Sequence, residues 1–298
     1  MDKNKSKYFV GIDGGGTKCK AIIVDIEGDI LAQGLSGAAN PFHNFEQTKE
    51  NILLAIQSAM NEVPSLNLKF DQFIVGAGLA GVNVPSTYKL MQSWQHPFKE
   101  FYLSSDLHTA TLGAHNGADG AVIVTGTGSC GFASVNGKQE MFGGYGFPWG
   151  DQASGAWFGL QAIELLFKVK DGLSHAPLLE EKLSQQLEID SAIDIVERVA
   201  NKAPNFFAAF APSVFDCADQ GEQACIDIVK EGIAYVEQMI ERIESLGNIN
   251  TALAGGLSHR LTTWLSSKTR SKLVTAQHSP EYGAVLLAHQ QLLRSADL

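Results

Sequence analysis

One local pattern occurs twice in this chain and limits what the chain can fold into. In each copy an apolar, strand-like run enters a turn rich in glycine, threonine or serine, and a second strand-like run follows. The first copy is Tyr8–Lys18 (YFVGIDGGGTK) and the second is Ala121–Gly131 (AVIVTGTGSCG). A short turn and a third strand follow both copies. The repetition indicates that the chain consists of two diverged copies of one larger unit.

The rest of each copy repeats as well. A strand that ends in glycines occurs at Phe73–Gly81 in the first half and at Thr251–Ser258 in the second. Each copy is therefore predicted to hold three antiparallel strands, followed by helix, strand, helix, strand and helix. We expect helices at 44–61, 85–93, 107–115, 154–169, 223–245 and 281–293. We expect the other strands at 30–35, 70–78, 101–105 and 272–274.

The glycine turn of the first copy has two interpretations. Successive glycines expose backbone N–H groups that bind anions, and Thr17 and Lys18 add a hydroxyl and a positive charge. Asp13 suits a phosphate site only with a cation such as Mg²⁺ between them, since like charges repel. A tight hairpin with a glycine bulge would use the same residues, so this stretch alone leaves both interpretations open.

Neither glycine turn has the spacing of a P-loop or a dinucleotide-binding fingerprint. Together, the motifs resemble those of the superfamily of sugar kinases, actin and heat-shock chaperone ATPases. Within it, the chain is similar to the N-acetylglucosamine kinase and BadF/BadG-type ATPase group, which includes bacterial glucosamine kinases. The resemblance covers nearly the whole chain. Its most specific motifs are Gly11–Thr17, Gly126–Ser129, Gly143–Asp151 and Gly255–Leu257.

The resemblance implies an α/β fold with two ribonuclease-H-like, actin-like ATPase domains. Each domain would be a mixed sheet with flanking helices, and a cleft would lie between them. The first domain would comprise residues 1–117 plus 281–298, and the second residues 118–280. The second would carry a helical insertion at about 171–219, in which four phenylalanines between 206 and 215 are expected to be core.

The resemblance also implies site residues, with ATP and Mg²⁺ as cofactors. Asp106 would be the catalytic base, and Asp13 would hold Mg²⁺ through water. The residues expected to bind ATP are Gly14, Gly15, Gly16, Thr17, Lys18, Gly126, Thr127, Gly128, Ser129, Gly255, Gly256 and Leu257. The residues expected to bind the sugar are Asn40, Asp106, Gly144, Tyr145, Gly146 and Asp151.

Three of these residues also have simple structural interpretations. Asp106 follows a strand and precedes a helix, where aspartate is a common N-cap. Ligands of open α/β sheets also bind at the carboxyl ends of strands, where a carboxylate can accept a proton from a hydroxyl. Asp151 would similarly cap the helix from Ser154, and Asn40, before Pro41, would start a turn.

Composition excludes several classes of function. The net charge of −10 argues against a nucleic-acid binder. No apolar run is long enough to span a membrane, and the charged start of the chain does not resemble a signal peptide. The four cysteines, Cys19, Cys130, Cys217 and Cys225, form no metal-binding spacing and are typical of reduced thiols. These features predict a cytoplasmic protein, and a homodimer is the default assembly.

The resemblance implies ATP-dependent phosphorylation of an amino sugar at its primary 6-hydroxyl. The intact Gly143–Asp151 run favours N-acetylglucosamine, and glucosamine is the alternative. A second alternative is an ATPase that activates a CoA-ester dehydratase or reductase, which would need paired cysteines for an iron–sulfur cluster. A nucleotide-gated binding protein would need an added peptide-binding domain, for which this chain is too short. A sugar-sensing repressor would need a DNA-binding segment before Tyr8.

Overall fold

The computed structural model describes residues 8–296, which fold into two units. The first unit contains the residues up to Gly120, Ala133–Lys138 and those from Thr275 onward. The second contains Ala121–Phe132 and Gln139–Val274. Because Thr275 onward belongs to the first unit, both ends of the described chain lie in the same unit.

The described residues form ten strands, twelve α-helices and two short 3-10 helices, Pro64–Leu66 and Phe70–Gln72. The strands are β1 (Tyr8–Gly14), β2 (Cys19–Val24), β3 (Ile30–Ser36), β4 (Phe73–Leu79), β5 (Glu100–Ser105), β6 (Gly120–Thr125), β7 (Ser129–Val135), β8 (Lys138–Gly143), β9 (Thr251–Ala254) and β10 (Leu273–Val274). The helices are α1 (Phe45–Glu62), α2 (Pro85–Gln92), α3 (Asp106–Ala114), α4 (Gly155–Lys170), α5 (Pro177–Leu187), α6 (Ala192–Val199), α7 (Pro204–Ala208), α8 (Ala211–Asp219), α9 (Gln223–Glu244), α10 (Ser258–Trp264), α11 (Ser267–Arg270) and α12 (Pro280–Ala296).

The two sheets have the same strand order relative to the repeat. The first is β3-β2-β1-β4-β5 and the second is β10-β9-β6-β7-β8, which is the same order read from the other edge. In the first sheet β2 pairs antiparallel with β1 and β3, whereas β4 pairs parallel with β1 and β5. The predicted fold class, a mixed sheet with flanking helices in each half, is confirmed.

The last helix covers one face of the first sheet. Val285 and Ala288 of α12 form a buried cluster with Phe9, Ile22 and Ile74. The helix comes this close because two strand residues are glycines. A Cβ at Gly11 would collide with the carbonyl oxygen of Glu281, and one at Gly76 with that of Ala284. The predicted return of the last helix to the first half is therefore confirmed.

The helical insertion is built around aromatic side chains. Phe207, Phe210 and Phe215 are buried, as predicted, and Phe206 is half-buried. Phe215 packs edge-on against Phe158 of α4, with ring centroids 4.8 Å apart. Among residues 8–296, no helix is both long and apolar enough to cross a membrane.

Candidate functional site

The turn of the first hairpin presents accessible backbone. Gly16, Thr17 and Lys18 are exposed, and a Cβ at Gly16 would have no neighbour within 4 Å. The N–H of Gly15 donates to the carbonyl of Lys18 at 3.0 Å and closes the turn. Gly14 differs from the others because it is buried against Ala39 and Leu79. Three of the predicted phosphate-binding residues are thus open to solvent, and one is part of the packing beneath them.

Asp13 brings a carboxylate to the end of β1. Its pKa is raised from an ordinary value of 3.8 to about 6, first by burial and then by the negative charges of Glu281 and Asp106, whose effect exceeds the lowering by Lys18 and Lys20. The chain's own cations therefore leave an excess of negative charge here. Carboxylate oxygens are the ligands that Mg²⁺ prefers, and a divalent cation would neutralise this excess. The residues present fit the predicted Mg²⁺ site.

Asp106 is the first residue of α3 and is not its N-cap. Ser105 caps the helix, because its Oγ accepts the N–H of His108 at 3.2 Å. The structural interpretation of Asp106 as a cap is therefore wrong. Its Oδ1 instead accepts the N–H of Leu107 at 2.9 Å. Burial raises the pKa of Asp106, and the backbone N–H groups of Leu107 and Asp106 partly offset that rise.

Asp13 and Asp106 lie at the same edge of the first sheet. β1 and β5 both run parallel to β4, which lies between them, so their carboxyl ends meet at one edge. Asp106 contributes to the raised pKa of Asp13, so each carboxylate lies in the electric field of the other. Phosphoryl transfer to a hydroxyl uses one carboxylate near a metal ion and another near the hydroxyl, and two neighbouring carboxylates are compatible with that chemistry.

The loop of Asn40 is tied to the first hairpin. The N–H of Ala39 donates to the carbonyl of Gly15 at 2.9 Å. The side-chain oxygen of Asn40 accepts the N–H of Phe42 at 3.0 Å, which is an Asx turn. The turn interpretation of Asn40 is confirmed, and its role in sugar binding stays a prediction.

The second glycine loop, Gly126–Ser129, is held by neutral hydrogen bonds. The first N–H groups of α4 donate to it, from Gly155 to the carbonyl of Gly126 at 2.8 Å and from Ala156 to that of Thr127 at 3.1 Å. The Oγ of Ser129 donates to the carbonyl of Gln152 at 2.5 Å. The start of α4 thus fixes the shape of the loop through backbone contacts.

Asp151 connects this loop to the aromatic loop 143–150. Its carboxylate accepts hydrogen bonds from the backbone N–H groups of Ser129 and Gly146. Burial raises the pKa of Asp151, and the two hydrogen bonds lower it by less. The N-cap of α4 is Ser154, whose Oγ accepts the N–H of Trp157 at 3.1 Å, so the predicted capping role of Asp151 is wrong. In the same loop Tyr145 is 78% and Trp149 88% exposed. These rings offer apolar faces of the kind that bind sugars.

The turn Gly255–Leu257 lies beside the end of β6. The N–H of Leu257 donates to the carbonyl of Thr125 at 3.0 Å. Gly255 has φ +96°, and a Cβ there would collide with the backbone of Thr125, whereas Gly256 faces open space. The predicted nucleotide residues of the second unit therefore lie on neighbouring turns.

Two charged residues near Asp13 were missed by sequence reasoning. Lys20 on β2 forms an ion pair with Glu281 of α12, whose side chain is only 4% exposed. These residues come from opposite ends of the chain, so no local spacing links them. The one signal in the sequence for a charged residue near Asp13 was Lys20, on the strand that follows the first glycine turn.

A cysteine pair was also missed. Cys217, Glu222 and Cys225 are buried, and their ligand-type atoms all lie within 4.8 Å of one another. The carboxylate of Glu222 already accepts the N–H groups of Leu178 and Leu179, at 2.8 and 3.0 Å. The cluster therefore joins the first turn of α5 to the start of α9.

Comparison with known proteins supports one family. The profile of the BadF/BadG/BcrA/BcrD ATPase family matches residues 10–288. The glucosamine kinase GspK of Vibrio cholerae is 33% identical over 283 residues, covering 94% of this chain and 95% of that protein. The N-acetyl-D-glucosamine kinase of Dictyostelium discoideum is 26% identical, covering 95% of this chain and 98% of that protein.

A solved structure shows the same fold. A protein of Chromobacterium violaceum, provisionally assigned as an N-acetylglucosamine kinase, has a TM-score of 0.87 at 28% identity, covering 96% of this chain and all of that chain. The predicted fold and the predicted resemblance are confirmed. The roles predicted for individual residues remain predictions.

Proposed function

The chain belongs to the BadF/BadG/BcrA/BcrD ATPase family, and from that premise we propose that it is an ATP-dependent kinase of amino sugars. The observation that carries the proposal is the pair of partly buried carboxylates, Asp13 and Asp106, at one sheet edge beside a glycine hairpin. The sugar kinases among its full-length relatives agree with this reading.

In the proposed reaction the primary hydroxyl of the sugar attacks the γ-phosphorus of ATP. A bond forms between the sugar oxygen and phosphorus, the bond to the β-phosphate oxygen breaks, and ADP leaves. Asp106 orients the hydroxyl and accepts its proton, a role for which a raised pKa suits a carboxylate. The exposed backbone of the first hairpin and the Gly126–Ser129 loop would bind phosphate oxygens, and Gly255–Leu257 would contact the adenosine.

Asp13 is the residue that would hold Mg²⁺, directly or through water. The cation, when bound, neutralises charge on the phosphate oxygens. Asn40, the loop Gly144–Gly146 and Asp151 would bind the other groups of the sugar. The proposed domains are residues 1–117 plus 281–298 and residues 118–280, and the proposed assembly is a homodimer.

N-acetylglucosamine is our first candidate substrate, since the intact Gly143–Asp151 run resembles that of the N-acetylglucosamine enzymes and carries two exposed aromatic rings. Glucosamine is the second candidate, because a glucosamine kinase is the relative with 33% identity. The two sugars differ by an acetyl group, so a direct comparison of turnover separates them.

The test is a coupled assay of ADP release with Mg·ATP and each of N-acetylglucosamine, glucosamine, N-acetylmannosamine and glucose. We expect strong turnover with one of the first two sugars and a product phosphorylated on the primary hydroxyl, identified by NMR. Hydrolysis of ATP at a rate indifferent to every sugar would contradict the proposal. The variant Asp106→Asn serves as the inactive control.

A further inference from the structure

A buried ion pair lies beside the carboxylate to which we assign Mg²⁺. Lys20 is on β2 and Glu281 is in the first turn of α12, and their side chains are in contact. The side chain of Glu281 is 4% exposed and that of Lys20 is 32% exposed. A carboxylate this deeply buried needs a compensating partner, and the start of a helix also favours its negative charge. Both conditions favour the ion pair of Glu281 with Lys20.

Lys20 also has a second carboxylate opposite it. Its Cα pairs with that of Asp13 in the antiparallel ladder of β1 and β2. Residues directly opposite each other in such a ladder point to the same face of the sheet, with Cβ atoms about 4.5–5.5 Å apart. Glu281 contributes more to the raised pKa of Asp13 than Asp106 does, so its charge is also close to Asp13. Two carboxylates therefore compete for one ammonium group.

The competition is decided in favour of Glu281. The Nζ of Lys20 pairs with Glu281, and within the part of the chain that the structure describes Asp13 forms no ion pair. The carboxylate of Asp13 consequently keeps its oxygens available, even though a lysine stands opposite it on the next strand.

We propose that Glu281 is a positioning residue that binds Lys20, keeps the ammonium group off Asp13 and leaves Asp13 free to hold the cation of the bound nucleotide, a role that rests on the proposed function. Removal of the charge of Glu281 leaves Asp13 as the carboxylate nearest to Lys20. Lysine and cation then compete for the same oxygens. Because one close opposite charge changes proton binding to a carboxylate by a factor of roughly 10 or more, we expect cation binding to weaken by about 10-fold.

The experiment measures Mn²⁺ binding by electron paramagnetic resonance on the full chain with saturating ADP, together with metal-free ADP affinity by calorimetry. Glu281→Gln is expected to weaken Mn²⁺ binding about 10-fold and to leave metal-free ADP affinity unchanged. Adding Lys20→Met to that variant is expected to restore Mn²⁺ binding, because the competing ammonium is gone. A purely structural role of Glu281 would give no such restoration.

Two controls make the outcomes distinct. Glu244→Gln breaks the ion pair of Lys272 and Glu244 in the second unit, whose atoms are 2.6 Å apart, and is expected to leave Mn²⁺ binding unchanged. Asp13→Asn is expected to abolish it. The positioning role is wrong if Asp13→Asn loses Mn²⁺ while Glu281→Gln binds it normally, or if the double variant is as weak as the single one. Normal Mn²⁺ binding by Asp13→Asn would instead overturn the proposed role of Asp13 itself.

Discussion

The two glycine hairpins descend from one pattern but are stabilised by different forces. The first has the carboxylate of Asp13 at its entrance and Lys18 in its turn, and the ion pair of Lys20 and Glu281 lies close to Asp13. The second has a neutral threonine and glycine turn, and the backbone of α4 and the carboxylate of Asp151 hold it in shape. The first hairpin therefore depends on where charged side chains lie, and the second on backbone hydrogen bonds that fix its shape.

The largest expected effect is that of replacing Asp106, at the edge of the first sheet where the carboxylates lie. We expect Asp106→Asn to lower kcat by about 10²–10⁴-fold, the usual contribution of a general base. ATP affinity should survive, because the variant keeps an oxygen that can accept the N–H of Leu107. Steady-state kinetics and nucleotide calorimetry measure the two effects. A parallel loss of ATP affinity and rate would make Asp106 a structural residue.

The second prediction concerns the energetic cost of the charge at Asp13. Its folded-state pKa is about 6 and its ordinary value is 3.8. The folded chain therefore binds the proton more tightly, so the stability gained from protonation is complete below about pH 4 and is lost as pH rises through 6. This difference corresponds to about 3 kcal/mol, and Asp13→Asn is expected to gain up to that amount at pH 7 without ligands.

Urea denaturation between pH 4 and pH 8 checks this prediction. The advantage of Asp13→Asn should shrink as the pH falls below 6. The exposed carboxylate of Asp71 provides the matched control, since Asp71→Asn should show no such trend. An advantage that is the same at every pH, or none at pH 7, would contradict the assignment of the raised pKa to Asp13.

The third prediction tests how closely the turn Gly255–Leu257 packs against Thr125, at the entrance of the second hairpin. Gly255→Ala should destabilise the protein by about 1–3 kcal/mol, since it places a Cβ at positive φ and against the backbone of Thr125. Gly256→Ala is the matched control, because the space beside Gly256 is open. Chemical denaturation gives the free energies of unfolding. Equal stability of the two variants would show that the turn is more adaptable than its geometry indicates.

The smallest expected effect is that of removing the exposed positive charge of Lys18 from the first glycine turn. Lys18→Met should weaken ATP binding by roughly 2- to 5-fold at low salt, the range of solvent-exposed charge pairs. The difference should fade in 0.5 M salt because such interactions are screened. Lys138→Met, at an exposed lysine outside both glycine turns, should change ATP binding at neither salt concentration. An effect of Lys18→Met that persists in high salt would mean a buried contact with nucleotide.

Sequence reasoning was most successful where the signal is local. The repeated strand and turn pattern predicted two copies of one α/β unit, each with three antiparallel strands followed by alternating helices and strands, and the two sheets of the structure agree with it. Strand and helix ends were predicted to within a few residues. The N-caps of α3 and α4 were assigned one to three residues away from Ser105 and Ser154, because aspartate and serine are equally good caps and both occur at each helix start.

The remaining features depend on contacts that local sequence does not record. The charge pair of Lys20 and Glu281 joins a residue of the second strand to one of the last helix. Cys217 lies close to Cys225 only because the chain turns between α8 and α9. Asp151 looks like a cap in sequence but accepts hydrogen bonds from two loops, because the loop before α4 turns its carboxylate back towards Ser129.

The close packing of the last helix on Gly11 and Gly76 has a consequence for the order in which the parts of the first unit are synthesised. All five strands of the first sheet are synthesised by residue 105, but the helix that covers Gly11 and Gly76 is residues 280–296. A nascent chain therefore holds all the strands of the first sheet, but not the helix that covers Gly11 and Gly76, while the second unit is translated. Since exposed apolar surface promotes aggregation, synthesis of residues 280–296, and not completion of the five strands, is the event that covers this part of the sheet.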